Sequence, residues 1–141
     1  MALVTSIMRV QQLLIGRIEG LLRPHDLTFA RFEVLRLLAF TRHGVLPVGK
    51  VGERLQVHPA SVTNAVHRLE QAGLVERRQN PADGRSVLAE ITPAGRELVE
   101  RCTTLLNAEV FATLPLDIDD LDGAAAALRT VRRSFGDAAD V

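Results

Sequence analysis

The run from Val48 to Thr92, VGKVGERLQVHPASVTNAVHRLEQAGLVERRQNPADGRSVLAEIT, leaves the chain few ways to fold. Val48, Val51 and Leu55 share one face of a brief helix, and Gln56-Val57-His58 reads as the turn after it. Pro59 suits the first position of a second helix, where a missing N–H costs nothing. From Pro59 to about Ala72, Val62, Val66 and Leu69 recur at i, i+4 and i+7, so they form the inward stripe. Ala60, Thr63, Asn64, His67 and Gln71 then project from the opposite side, and Gly73 ends the helix. Two strands follow, Val75 to Gln79 and Ser86 to Ile91. The segment Asn80-Pro81-Ala82-Asp83-Gly84-Arg85 between them is dense in turn residues. It is longer than a tight hairpin turn, which predicts a projecting, mobile tip. Thr92-Pro93 supplies a cap and a first-turn proline for the next helix.

The flanks read as helices on both sides. Residues 1–22 carry Leu3, Ile7, Val10, Leu14, Ile18 and Leu21 at 3–4 spacing, with Arg23-Pro24 as the stop. Thr28 is a plausible cap for a second helix, with Phe29, Phe32, Leu35, Leu38 and Ala39 inward. Phe29, Phe32 and Phe40 are three of the five aromatic residues, and all three are expected in the core. Gly44 fits the left-handed position after that helix, and Val45-Leu46-Pro47 reads as an extended link. A long helix from Pro93 to about Leu114 buries Leu98, Cys102, Leu105 and Leu106. Asp117 caps the last helix, with Asp119 and Asp120 favoured by its dipole. Leu121, Ala124, Leu128, Val131 and Phe135 then recur at heptad spacing. The pattern predicts one domain over residues 1–141, mainly α with a small β-wing.

Charge matters only in its distribution. The whole chain balances at 17 basic and 17 acidic residues, which alone speaks weakly against nucleic acid. Residues 1–47 hold six basic and three acidic groups, residues 48–96 seven and five, and residues 97–141 four and nine. The acidic excess is confined to the C-terminal third, and a DNA binder needs a local basic surface rather than a basic average. No apolar run approaches a membrane span, and the N-terminus lacks the basic-then-apolar order of a signal peptide. The expected location is the cytoplasm, which also suits a chain whose single cysteine, Cys102, cannot form an internal disulfide.

The order of elements, with several short motifs, resembles the MarR family of winged helix-turn-helix regulators. The matching residues are Leu27-Thr28 with Phe32 and Leu35, then Ser61-Val62-Thr63, then the run from Val66 to Val75. Asp83-Gly84-Arg85 in the hairpin and Thr92-Pro93-Ala94-Gly95-Arg96 complete the set. The resemblance spans roughly residues 10–135. It implies a DNA-binding part over residues 28–92, with residues 1–22 and 93–136 as dimerisation helices. It further implies a transcriptional regulator, expected to be a repressor, acting as a homodimer on a pseudo-palindromic operator. Release by a small aromatic or anionic effector, bound between the dimer helices and the DNA-binding part, is also implied; Arg17, Arg36, His25 and His43 are near enough in the chain to contribute. Two features depart from the family: the segment before Leu27 is shorter than usual, and Asn64 stands where many members carry arginine.

The chemistry of the individual residues agrees with that reading. A helix with small polar side chains can reach the floor of the major groove. Asn64 can bond adenine bidentately, Thr63 can offer a methyl to thymine or a hydroxyl to phosphate, and His67 can bond guanine or phosphate. Ser61 and Arg68 suit phosphates. Alternation places Arg77 and Arg78 on opposite faces of their strand, with Arg78 preferred for DNA. Arg85 on the wing suits a narrow minor groove, where the negative potential is enhanced. Asp83 would repel bare phosphate, so its expected role is to pair with an arginine and shape the loop. The competing readings are ordinary solvated side chains, or a winged helix that binds only protein. An enzyme is disfavoured: His25, His43, His58 and His67 are widely spaced, and no nucleophile–base set or metal cluster is evident. No cofactor is called for. Cys102 reads as a small core residue rather than a redox sensor.

Overall fold

A computed structural model describes residues 1–137. The order of elements is α1 (Ala2–Leu22), α2 (Phe29–Phe40), β1 (Val45–Pro47), α3 (Val48–Leu55), α4 (Pro59–Gln71), β2 (Val75–Asn80), β3 (Asp83–Ile91), α5 (Pro93–Glu109) and α6 (Ile118–Ser134). The expected class, mainly α with a small wing, is the observed one.

The caps lie where the sequence puts them. The Thr28 hydroxyl accepts from the Arg31 N–H, and the Asp117 carboxylate accepts from the Asp120 N–H at 2.9 Å. Thr92 does two jobs. Its hydroxyl accepts from the Gly95 N–H at 3.1 Å and donates to the Gly73 carbonyl at 2.8 Å, so the cap of α5 is tied to the exit of α4. Gly95 is needed for this approach: a Cβ there would lie 2.2 Å from the Leu74 carbonyl oxygen.

The core joins Val62, Val66 and Leu69 of α4 to Phe32, Leu35 and Leu38 of α2, to Leu98, Cys102 and Leu106 of α5, and to Ala89 and Ile91 of β3. Leu22, Val34 and Val99 are equally buried and fall outside the stripes read from spacing. At the other extreme, Leu3 and Val10 of the predicted α1 stripe are exposed, as is much of α6, which has no buried residue within the single chain.

Several expectations need correction. The sheet has three strands rather than two, in the order β1-β3-β2, because the link Val45–Pro47 pairs antiparallel with Leu88–Glu90. The wing does not carry a long loop: β2 and β3 run to Asn80 and Asp83, which pair across Pro81-Ala82. The extra β3 residues are absorbed as an irregularity beside Gln79 and Asn80. Phe40 is not core but 71% exposed, with the Arg36 guanidinium 4.0 Å above its ring. The chain also passes Arg23-Pro24 in a 3-10 turn, and α5 ends at Glu109 before a second such turn at Phe111–Thr113. Proline is tolerated in the first turn of a helix, so it ends α1 without ending helical geometry.

Candidate nucleic-acid interface

The geometry of α3, the turn and α4 is set locally. Gln56 takes a left-handed conformation at φ 55°, which reverses the chain after α3. His58 then caps α4: its Nδ1 accepts from the Ala60 N–H at 3.2 Å. Spacing alone places His58 in the turn and does not mark it as a cap. A histidine at an N-cap position followed by proline was the available signal. Behind the turn, Gly52 and Val62 are both buried, and a Cβ on Gly52 would stand 3.3 Å from a Val62 methyl.

Packing of Val62, Val66 and Leu69 rotates the other side of α4 outward. Ser61, Thr63, Asn64, His67 and Arg68 are all exposed, so five predicted site residues share one solvent-facing surface. Thr63 is partly committed, since its hydroxyl donates to the Pro59 carbonyl at 3.0 Å. That bond leaves its methyl and an oxygen lone pair for a partner. No hydrogen bond or ion pair holds the side chains of Asn64, His67 or Arg68 among the described residues, and each is free to meet a ligand.

The wing stands beside this surface. Its tip is held by side chains acting on the backbone. Asn80 accepts from the Ala82 N–H and donates to the Ser86 hydroxyl, while Gln79 donates to the Gly84 carbonyl at 3.0 Å. Asp83 accepts from the backbone N–H of Arg85 at 3.0 Å. Asp83 thus holds the wing backbone through the peptide group of Arg85; the expected pairing with an arginine guanidinium is not found among the described residues. The Arg85 side chain is exposed and makes no ion pair among the described residues. A hollow of about 380 Å³ lies on the wing, lined by Arg77, Arg78, Gln79 and Val87 and bordered by Glu70 of α4.

Arg77 and Arg78 do lie on opposite faces. Arg77 sits opposite Ala89, on the face that carries buried Val75 and Ile91, and meets Glu70 of α4. Arg78 sits opposite Leu88 and pairs with Glu90 at 2.9 Å on the other face. The Arg77 guanidinium, by its hydrogen bond above all, holds the Glu70 carboxyl below the usual carboxylate range.

Elsewhere, α1, α2 and α6 bound an apolar cleft of about 940 Å³. Its charged lining residues are Glu19 and Glu33; Arg17, Arg36, His25 and His43 are not on its wall. Glu19 accepts from the Phe29 N–H at 2.8 Å, and burial pushes the Glu33 carboxyl up. Cys102 is fully buried, and burial likewise pushes its thiol up, which disfavours the reactive thiolate. Among the described residues no three His, Cys, Asp or Glu side chains are placed to hold a metal ion, and no helix is long and apolar enough to cross a membrane.

The comparisons with known proteins bear on this surface directly. The MarR family model matches residues 27–87, from the start of α2 into the wing. A MarR family transcriptional regulator of Streptomyces coelicolor has a solved structure that is 48% identical and superposes with a TM-score of 0.89, covering 99% of this chain and 97% of that one. The chain belongs to the MarR family. A mutant of MarR itself from E. coli, solved in complex with operator DNA, is 28% identical to this MarR-family chain. It superposes with a TM-score of 0.84, covering 93% of this chain and 94% of that one. Among curated relatives, the organic hydroperoxide resistance transcriptional regulator of Bacillus subtilis is 34% identical over 85 residues. That match covers 60% of this chain and 56% of the relative, so the chain spans little more than half of that protein's length. The family is one of transcriptional regulators and not of enzymes.

Proposed function

We propose that this MarR-family regulator is a sequence-specific DNA-binding repressor, acting in the cytoplasm as a homodimer on a pseudo-palindromic operator. The observation that carries the reading is the shared exposure of Ser61, Thr63, Asn64, His67 and Arg68 on one side of α4, beside a wing that presents an exposed Arg85. In this reading α4 lies in the major groove, with Asn64 and Thr63 at base edges and Ser61, His67 and Arg68 toward phosphates. Arg85 reaches the adjacent minor groove. Asp83 acts indirectly by shaping the wing, and Arg78 reaches the backbone by leaving Glu90, an exposed pair that costs only ~0–1 kcal/mol to break. The operator complex of the E. coli relative supports the choice of DNA as partner.

One such unit makes few base contacts, and two related by a twofold axis read half-sites about one helical turn apart, ~34 Å. The dimerisation helices are then α1, α5 and α6. The support is the exposed apolar surface of Leu3, Val10, Leu13, Leu128, Val131 and Phe135, which a second copy would cover. Occupation of the operator excludes polymerase, and a small effector that prefers a different spacing of the two α4 helices would release it. The apolar cleft suits an aromatic effector; its carboxylates supply no cation for an anionic one.

The test is selection of fragmented genomic DNA by the purified protein at low salt. The expected result is recovery of fragments with an inverted repeat, bound with an affinity that falls steeply as salt rises. Recovery of no fragment above background contradicts the reading. Retention of full DNA affinity by Arg85→Ala would instead favour a winged helix that acts through a protein partner.

A further inference from the structure

We propose that the Glu70–Arg77 pair is a clamp that sets the angle between the α4 helix and the wing, so that Asn64 and Arg85 meet the duplex together. The proposal rests on the DNA-binding reading above and assigns Arg77 a positioning role rather than a contact with DNA.

The geometry is specific. The Arg77 Nε and Nη2 both approach one Glu70 oxygen, Oε2, at 2.7 and 2.6 Å. Both side chains are about one-third exposed, at 34% and 35%, so the pair is neither buried core nor free in solvent. Both residues line the hollow that the wing shares with the end of α4. Arg77 comes from the face of β2 that also carries buried Val75, which aims it at α4. Below it, Leu74 and Val75 anchor β2 to the domain; at the level of Arg78 the far edge of the sheet is still held by Pro47 of β1, paired with Leu88, and from Gln79 outward the ladder joins only the two wing strands. Arg77 is therefore the last point at which the wing is tied to the helix. Two converging donors fix an orientation as well as a distance.

The geometry also sets the sign of the effect. Were Arg77 a phosphate contact restrained by Glu70, removing Glu70 would free a cation and delete an anion beside DNA, and all DNA would bind more tightly. In a clamp, removing either partner lets the wing drift, and only binding that needs helix and wing at once is lost. Non-specific binding, which is electrostatic, is spared.

Two measurements on the full chain test this. The first needs no DNA. Spin labels on Gln71→Cys and Ala82→Cys, with labelled protein diluted into unlabelled, read the helix–wing distance within one chain; buried Cys102 stays unlabelled. The distribution should be narrow with Glu70 present and broad in Glu70→Gln. An unchanged distribution overturns the clamp, whatever the protein does with DNA. The second uses a duplex recovered by genomic selection and a shuffled copy. Glu70→Gln and Arg77→Gln should each weaken the selected duplex roughly tenfold, the scale of one lost base contact. The salt dependence and the shuffled duplex should be unaffected, and the swap Glu70→Arg with Arg77→Glu should recover most of the loss. Tighter binding of both duplexes by Glu70→Gln, or a salt slope reduced by about 0.9 in Arg77→Gln, makes Arg77 a phosphate contact and overturns the clamp. Failure of the unaltered protein to select any DNA defeats the functional reading, while the distance measurement still decides the clamp.

Discussion

Gly95 shows how little room single positions leave. Its missing Cβ lets the start of α5 lie against the Leu74 carbonyl, where a methyl would stand 2.2 Å from the oxygen and 2.9 Å from Ile91. Backbone cannot yield as a flexible side chain does, so Gly95→Ala should cost about 1–3 kcal/mol of stability, the range for overpacking. Thermal unfolding followed by circular dichroism measures it, and an unchanged melting temperature would show that the junction has slack. Cys102 makes the opposite kind of statement. Full burial pushes its thiol up and keeps it protonated. Native protein should therefore resist a thiol-alkylating reagent until denatured, whereas fast labelling at neutral pH would reopen a redox role.

At the scale of elements, the helix–wing junction carries a pH signature. Arg77 holds the Glu70 carboxyl below its ordinary value, so the pair's contribution is fully present above the unfolded value and is lost as pH falls through the lowered folded one. The melting temperature difference between the natural chain and Glu70→Gln should shrink on acidification through the carboxylate range; a gap that widens would reverse the assignment. Most elements were legible in the sequence because their signals are local. Thr28, Pro59, Thr92 and Asp117 mark helix starts by chemistry that acts within one turn, and each start lies where they put it. What escaped was non-local. The strand Val45–Pro47 exists only because Glu90, Ala89 and Leu88 arrive beside it. The wing closes tightly because Gln79 and Asn80 reach across to Gly84 and Ser86, which turn-residue density cannot report. Phe40 looked like core by residue type, yet Arg36 covers one face of its ring and water meets the rest. The outward face of α4 followed from periodicity alone. The Glu70–Arg77 link joins a helix to a strand and left no pattern to read.

For the whole molecule, the single chain is unfinished. Neither α6 nor the first half of α1 buries its apolar residues, and Phe135 remains 86% exposed. In the proposed dimer a second copy would remove that surface from water, at roughly 25 cal/mol per Å² of apolar area. Leu128→Asp combined with Val131→Asp should therefore yield a species of half the mass by light scattering. It should also lose operator affinity even though α4 and the wing are untouched. A variant that stays dimeric would move the interface elsewhere.

In the proposed complex the outer side of α4 and the Arg85-bearing wing meet DNA together, twice, across a symmetric dimer. Hydroxyl-radical footprinting of the natural chain and of Arg85→Ala on a selected duplex tests it most directly. Two protected half-sites are expected, with centres about one helical turn apart, each flanked by a protected minor-groove segment that Arg85→Ala loses while the central protection remains. A single unpaired footprint, or flanking protection that survives the substitution, would contradict it.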